Sequence, residues 1–186
     1  MTRAARPEPV KMTVAEFLAW DDGTDRRYEL IDGTIRMRAA PSPAHSTIAG
    51  NNAGQLYGRL TAPCRVRIEY GVELDWSEHD YYQADLTVVC GEVRRGAVLP
   101  DPVLLVEIAS RSTIDHDRGR KALDYKRLAG CRCILIVESE RRHVERWTRD
   151  GERWIVTDHI GERGIVPVDG LDIELELADI YAGIAI

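Results

Sequence analysis

The chain has 186 residues, 44% hydrophobic and 30% charged, with a formal net charge of −6. That length and balance suit a single soluble domain with a sizeable core, and no segment approaches the length of a membrane-spanning helix. The acidic excess argues against strong nonspecific nucleic-acid binding, which needs many Lys and Arg side chains on phosphates.

The first eleven residues are polar and proline-broken and are expected to form a loose arm, with one domain over 12–186. They hold no apolar stretch resembling a signal peptide, so the expected location is the cytoplasm. Thr13 caps a short helix over Val14–Trp20, with Glu16 completing a capping box. Tyr28–Ile31 and Thr34–Met37 flank Asp32-Gly33 and predict a tight hairpin. Pro41 and Pro43 mark a loop, after which a helix is expected from Ala44 or His45 to Leu60.

Arg65–Leu74 alternates as a strand with one wet face. Two apolar strands follow, Ala84–Cys90 and Val103–Ala109, separated by the charged stretch Gly91–Pro102. A helix over Ile114–Ala129 ends at Gly130, and the apolar run Ile134–Val137 after it implies a parallel crossover. His143–Thr148 and Arg153–Thr157 form a second hairpin around Asp150-Gly151. Leu171–Ile186 is read as an extended segment and a final short helix. The order predicts an α/β fold, with helices on a mixed sheet and hairpins at both flanks. Cys64 and Cys90 stand alone, Cys90 and Cys133 read as small buried strand residues, and Cys131-Arg132-Cys133 lacks redox or zinc spacing.

Two residues do not belong in their surroundings. Asp85 interrupts Ala84–Cys90 and Glu107 interrupts Val103–Ala109. A carboxylate in such a run is costly unless it is paired, hydrogen-bonded or bound to a metal. Neighbouring strands lie ~4.8 Å apart, so two inward carboxylates can share one cation. Magnesium suits them, because it takes one or two protein carboxylates and keeps water and phosphate in its remaining positions. A backbone carbonyl near Ile108 is a candidate third donor. Asp117, Lys121 and Tyr125 recur at i, i+4 and i+8 and share one helix face, so Lys121 is placed to steady a water or a phosphate charge. The plainer reading of Asp117 and Lys121 is a surface ion pair of small consequence. Arg118, Arg120, Lys121, Lys126 and Arg127 form the densest cationic cluster, otherwise a solvated helix face. His79, His116, His143 and His159 show no metal-ligand spacing and read as surface or packing residues.

The segments Tyr28–Gly33, Pro41–His45, Ala84–Val89, Val106–Thr113 and Asp117-x-x-x-Lys121-x-x-x-Tyr125 together resemble the Uma2 family, formerly DUF820, of the PD-(D/E)xK restriction-endonuclease-like superfamily. The resemblance runs from about Met12 to Tyr181. It implies a restriction-endonuclease-like core, with Asp85 and Glu107 as catalytic metal ligands for Mg2+ or, in substitution, Mn2+. Ala84 stands where the family commonly has Pro. Ala109 stands where Glu-x-Lys has its lysine, and Lys121 matches the place to which this family moves it. Glu29 is the expected accessory catalytic acid, and His45, Ser110 and Tyr125 are candidate substrate contacts. Ser110, Ser112 and Thr113 also read as helix caps.

The resulting expectation is a metal-dependent endonuclease acting on DNA rather than RNA, as a homodimer, since cutting two strands calls for two sites. The competing expectation is a catalytically silent module of the same fold that regulates or binds through a partner protein. It draws on the acidic balance and on Ala109.

Overall fold

The computed structural model describes residues 11–91, 101–111 and 113–186, and the rest of the arm, most of the Gly91–Pro102 connector and Ser112 lie outside the described residues. The chain groups into two compact units, one running up to Ala39 and including Gly71–Gln83, the other made of Ala40–Tyr70 and Ala84–Ile186.

In the first unit, α1 (Val14–Ala19) has the expected capping box. The Thr13 side chain accepts from the Glu16 amide and the Glu16 carboxylate accepts from the Thr13 amide. The hairpin of β1 (Tyr28–Ile31) and β2 (Thr34–Met37) pairs Tyr28 with Met37 and Ile31 with Thr34. Its turn needs positive φ at both central residues, and Asp32 (51°) and Gly33 (71°) supply it. Leu30 of β1 also pairs with Tyr81 at the start of β4. The rings of Phe17 and Tyr81 lie 5.4 Å apart, and those of Trp20 and Tyr28 5.0 Å apart.

β3 (Cys64–Glu73) and β4 (Tyr81–Cys90) each run through both units and pair with one another. In the second unit the strand order is β4-β5-β6-β7-β8. β5 (Leu104–Ala109) runs antiparallel to β4, with Leu86 opposite Val106, and parallel to β6 (Cys133–Glu138). The helical crossover inferred from sequence therefore exists. β7 (His143–Asp150) and β8 (Arg153–Ile160) form the second hairpin in full register. β9 (Ile165–Val168), which the sequence did not suggest, pairs with β10 (Ile173–Glu176), and α5 (Leu177–Ile180) follows.

Because side chains alternate along a strand, Leu86, Val88, Leu104, Val106, Leu135 and Val137 share one face of this sheet. They pack with Ile48 and Leu56 of α2 (Pro43–Arg59) and with Leu177 and Ile180 of α5. Asp85 and Glu107 are thereby assigned to the opposite face. No helix among the described residues is long and apolar enough to cross a membrane.

Three expectations change. α2 starts at Pro43, because proline is favoured in the first helical turn, where its missing N–H is no loss, and Ser42 caps it by accepting from the His45 amide. The helix expected over Ile114–Ala129 stops at Tyr125 and is broken in kind: α3 (Ile114–His116), a π-helical turn (Asp117–Lys121) and α4 (Ala122–Tyr125). Cys64 and Cys90 are not solitary; they form a disulfide with an S–S distance of 1.97 Å. Cys64 opens β3 and Cys90 closes β4, so strand pairing brings together two residues 26 apart in sequence. Cys131 and Cys133 are buried and free, and burial pushes both thiols up to about 12, which makes them unreactive.

Closing a loop of this length restricts the unfolded chain and contributes roughly 3 kcal/mol. Reduction with dithiothreitol should lower the urea midpoint of the wild type and leave that of Cys64→Ala/Cys90→Ala unchanged. Equal midpoints for oxidised and reduced wild type would show that the bridge adds nothing.

Candidate active site

Continuing the β4–β5 register by one residue past Leu86 and Val106 sets Asp85 opposite Glu107, on the face turned away from the apolar cluster. Both are almost fully buried, at 4% and 2% exposure. The Asp85 Oδ2 accepts the Ile108 amide at 2.7 Å. Ile108 thus offers its N–H to Asp85. The same oxygen lies 3.3 Å from His45 Nε2, carried in on the first turn of α2.

The helical crossover covers this face and brings the lysine. Lys121 Nζ stands 3.3 Å from both Glu107 oxygens and 3.9 Å from Asp117 Oδ1. Tyr125 donates its hydroxyl to Glu107 Oε1 at 2.6 Å. Lys121, at 2% exposure, and Asp117, at 5%, are buried, so their pairing is no surface contact. Asp117 and Lys121 open and close a π turn. The Ala122 amide bonds back to the Asp117 carbonyl five residues earlier. π turns of this kind recur at functional sites.

The Asp117 carboxyl is raised above its ordinary range, first by burial; the Lys121 ammonium and a Thr113 hydrogen bond oppose this, and the Asp85 charge adds to it. Sequence spacing paired Asp117 with Lys121 but gave no sign that both are buried against Glu107. Arg118 was also read only as part of a solvated face. It reaches Glu138 at 2.9 Å and Glu145 at 2.8 Å and fastens the π turn to β6 and β7. Burial alone would raise the Glu138 carboxyl, but hydrogen bonds from Arg141 and His143 outweigh it and hold the group down at about 2. His143 is buried, with Nδ1 2.7 Å from Glu138 and Nε2 2.6 Å from Asp158.

Two candidates remain. Glu29 belongs to the first unit, where Oε1 accepts the Gln83 amide at 2.9 Å. Ser110 starts the crossover: its carbonyl accepts the Ile114 amide, and its amide donates to Thr113 Oγ1 at 3.1 Å. It lines a cleft of about 310 Å3 with Arg111, Arg118 and Arg141, which pair there with Glu138 and Glu140. A larger groove of about 650 Å3 is bordered by Asp169, Asp172, Glu174 and Glu176 with Arg59, a lining that disfavours a phosphodiester.

Among the described residues no three His, Cys, Asp or Glu side chains are grouped as a metal-binding set. Two facing carboxylate oxygens do fit magnesium, which commonly uses one or two carboxylates and leaves the other positions to water and phosphate.

The Uma2 family model, described as "Putative restriction endonuclease", matches residues 14–179. The uncharacterized protein slr1290 of Synechocystis is 24% identical over 181 residues, covering 94% of each chain. The uncharacterized protein sll1609 of the same organism is 23% identical, covering 81% of this chain and 89% of its own. The crystal structure of a putative nuclease belonging to DUF820 from Anabaena variabilis matches with a TM-score of 0.73 at 20% identity, over 92% of this chain and 98% of that one. The likeness is one of fold.

An acid whose carboxyl is raised by folding weakens the folded state as pH climbs from its unfolded value through its folded one, and has no such effect when both states are protonated. Asp117→Asn should therefore compare more favourably with wild type at pH 7 than at pH 3, by on the order of 1 kcal/mol. Urea unfolding at both pH values measures this. An equal difference at both would contradict the raised carboxyl.

Proposed function

The chain belongs to the Uma2 family, and on that premise we propose that it is a metal-dependent endonuclease hydrolysing phosphodiester bonds of DNA. The observation that carries this reading is the Lys121 ammonium at 3.3 Å from Glu107, reached from the helix while Ala109 leaves the strand position empty of charge.

Asp85 and Glu107 would hold the Mg2+, with Mn2+ as a substitute. The ion, when bound, would acidify a water and neutralise phosphate charge. The chain's own groups do the positioning. The Ile108 amide fixes Asp85, and the Tyr125 hydroxyl and Lys121 fix Glu107 from the other side. Once substrate enters, Lys121 is the group placed to orient the attacking water and steady charge on the scissile phosphate. His45, beside Asp85, is the proposed phosphate contact and proton carrier. Ser110 is proposed to meet the flanking backbone. Glu29 is proposed as the accessory acid.

One observation favours the silent module. Asp85, Glu107 and Lys121 are each no more than 4% exposed, and Lys121 is held evenly by both Glu107 oxygens, as in a closed structural ion pair. Binding of Mn2+ measured by calorimetry, lost in Glu107→Ala, would count against that reading.

Plasmid DNA incubated with the protein and Mg2+ or Mn2+ should be nicked or linearised, and EDTA should stop the reaction. Asp85→Ala and Lys121→Ala should each lower the rate by about 10²–10³-fold, the usual consequence of losing one preorganised charge at a phosphoryl centre. No cleavage by wild type, or wild-type rates in both variants, would end the proposal.

A further inference from the structure

The second unit carries two cations that it does not neutralise. Its other well-placed cations meet carboxylates: Arg118 meets Glu138 and Glu145, Arg141 meets Glu138, and Arg146 meets Asp169. Lys126 and Arg149 have no carboxylate partner among the described residues, and each lies against an indole. Lys126 Nζ is 4.4 Å from the centre of the Trp147 ring, and Arg149 Cζ is 4.9 Å from that of Trp154. Arg149 donates to the carbonyls of Lys126 and Leu128, at 2.6 and 2.9 Å, which fix the guanidinium without cancelling its charge. Burial lowers the Lys126 ammonium from its ordinary value, and no carboxylate opposes the shift.

Register places these groups. Glu107 pairs with Ile136, and Ile136 with Glu145. Trp147 and Arg149 follow Glu145 at alternate positions, and β8 sets Val156 opposite Trp147 and Trp154 opposite Arg149. These side chains therefore share the sheet face that carries Glu107, and Lys126 joins them directly after α4. Both indoles are half-buried, and Val156 is exposed. With strands ~4.8 Å apart and ~3.4 Å per residue, Trp147 lies about 12 Å and Trp154 about 20 Å from Glu107 along the sheet. The acids bordering the patch are engaged already. Glu145 accepts the Trp147 indole N–H and binds Arg118, Asp158 binds His143, and Asp124 faces Arg127.

We propose that this face is a docking platform for an unpaired stretch of nucleic acid, with bases stacking on Trp147 and Trp154 and phosphates meeting Lys126 and Arg149. The inference rests on the endonuclease reading, because the strand it holds is the one that would lead to the carboxylates. The combination of groups selects the ligand. Cations alone suit any anion, and an apolar strip alone suits any apolar partner. Two indoles, each beside an uncompensated cation on one sheet face, match a chain that alternates π faces with phosphates. Stacking on an indole also requires a base released from its duplex partner. Two cations on a chain of net charge −6 make the binding weak and salt-sensitive.

Fluorescence anisotropy of a labelled single strand of about 12 nucleotides, at low salt and in EDTA, reads this binding without cleavage. Wild type should bind with a Kd of about 1–100 µM, and more tightly than it binds a duplex of equal length. Trp154→Ala should weaken binding about tenfold, whereas Trp154→Phe should keep most of it. Lys126→Ala should lower the slope of log Kd against log salt by about 0.7, the loss of one phosphate contact on a single strand. Arg59→Ala, which removes an exposed cation from α2 on the opposite face, should leave that slope unchanged. No binding by wild type, a duplex bound as tightly as the single strand, or a wild-type slope in Lys126→Ala would each overturn the platform. Because metal is absent, a protein that binds here but never cleaves ends the endonuclease reading alone, and one that cleaves without this binding ends the platform alone.

Discussion

A buried ammonium held against a buried carboxylate sets the terms for the crossover. Taking both Lys121 and Glu107 out of water is expensive, and their attraction offsets that only when the geometry is good and the remaining polar valences are filled. The Tyr125 hydroxyl fills one on Glu107, and Asp117 lies across the ammonium at 3.9 Å. These three side chains come from one short helical segment, so the segment has one productive seat on the sheet. Arg118, between Asp117 and Lys121 in sequence, pins that seat from the side through Glu138 and Glu145.

The sheet decides where this pair can be. β5 and β6 are parallel, so the chain must cross a face of the sheet between them, and α2 and α5 already pack on the face of Leu86, Val106 and Leu135. Alternation along β4 and β5 leaves Asp85 and Glu107 on the other face. The crossover thus meets the carboxylates because of topology, and Asp117 and Lys121 open and close its π turn. A regular α-helix would bring residues i and i+4 near one another, so the spacing was legible without the turn.

Local signals carried well where local chemistry decides. The capping box at Thr13, the Asp32-Gly33 turn, the hairpin around Asp150-Gly151 and the β5–helix–β6 crossover were all readable from residue type and period. The carboxylate pair was readable for the same reason, because an acid in an aliphatic strand is conspicuous. What failed was nonlocal. The Cys64–Cys90 bridge depends on β3 pairing with β4, which no property of either cysteine announces. Arg118 and His143 look like surface residues in sequence and are satisfied by strand residues, Arg118 by Glu138 and Glu145 and His143 by Glu138 and Asp158. The helix boundary was misjudged after Tyr125, where favourable residues continue but the chain turns toward β6.

Ala109 connects these levels. Two residues beyond Glu107 on a strand, a side chain returns to the same face, which makes that position the direct way to set a lysine beside the glutamate. Here the position is a buried alanine whose carbonyl is taken by the amide and hydroxyl of Ser139. Moving the ammonium to Lys121 changes what controls it. A lysine on the strand would be fixed to the carboxylate by the strand itself, whereas Lys121 keeps its 3.3 Å distance only while the crossover is seated. The charge beside Glu107 is therefore set by packing between a helix and a sheet, and the grip of Arg118 on Glu138 and Glu145 belongs to the same mechanical unit as the lysine it accompanies.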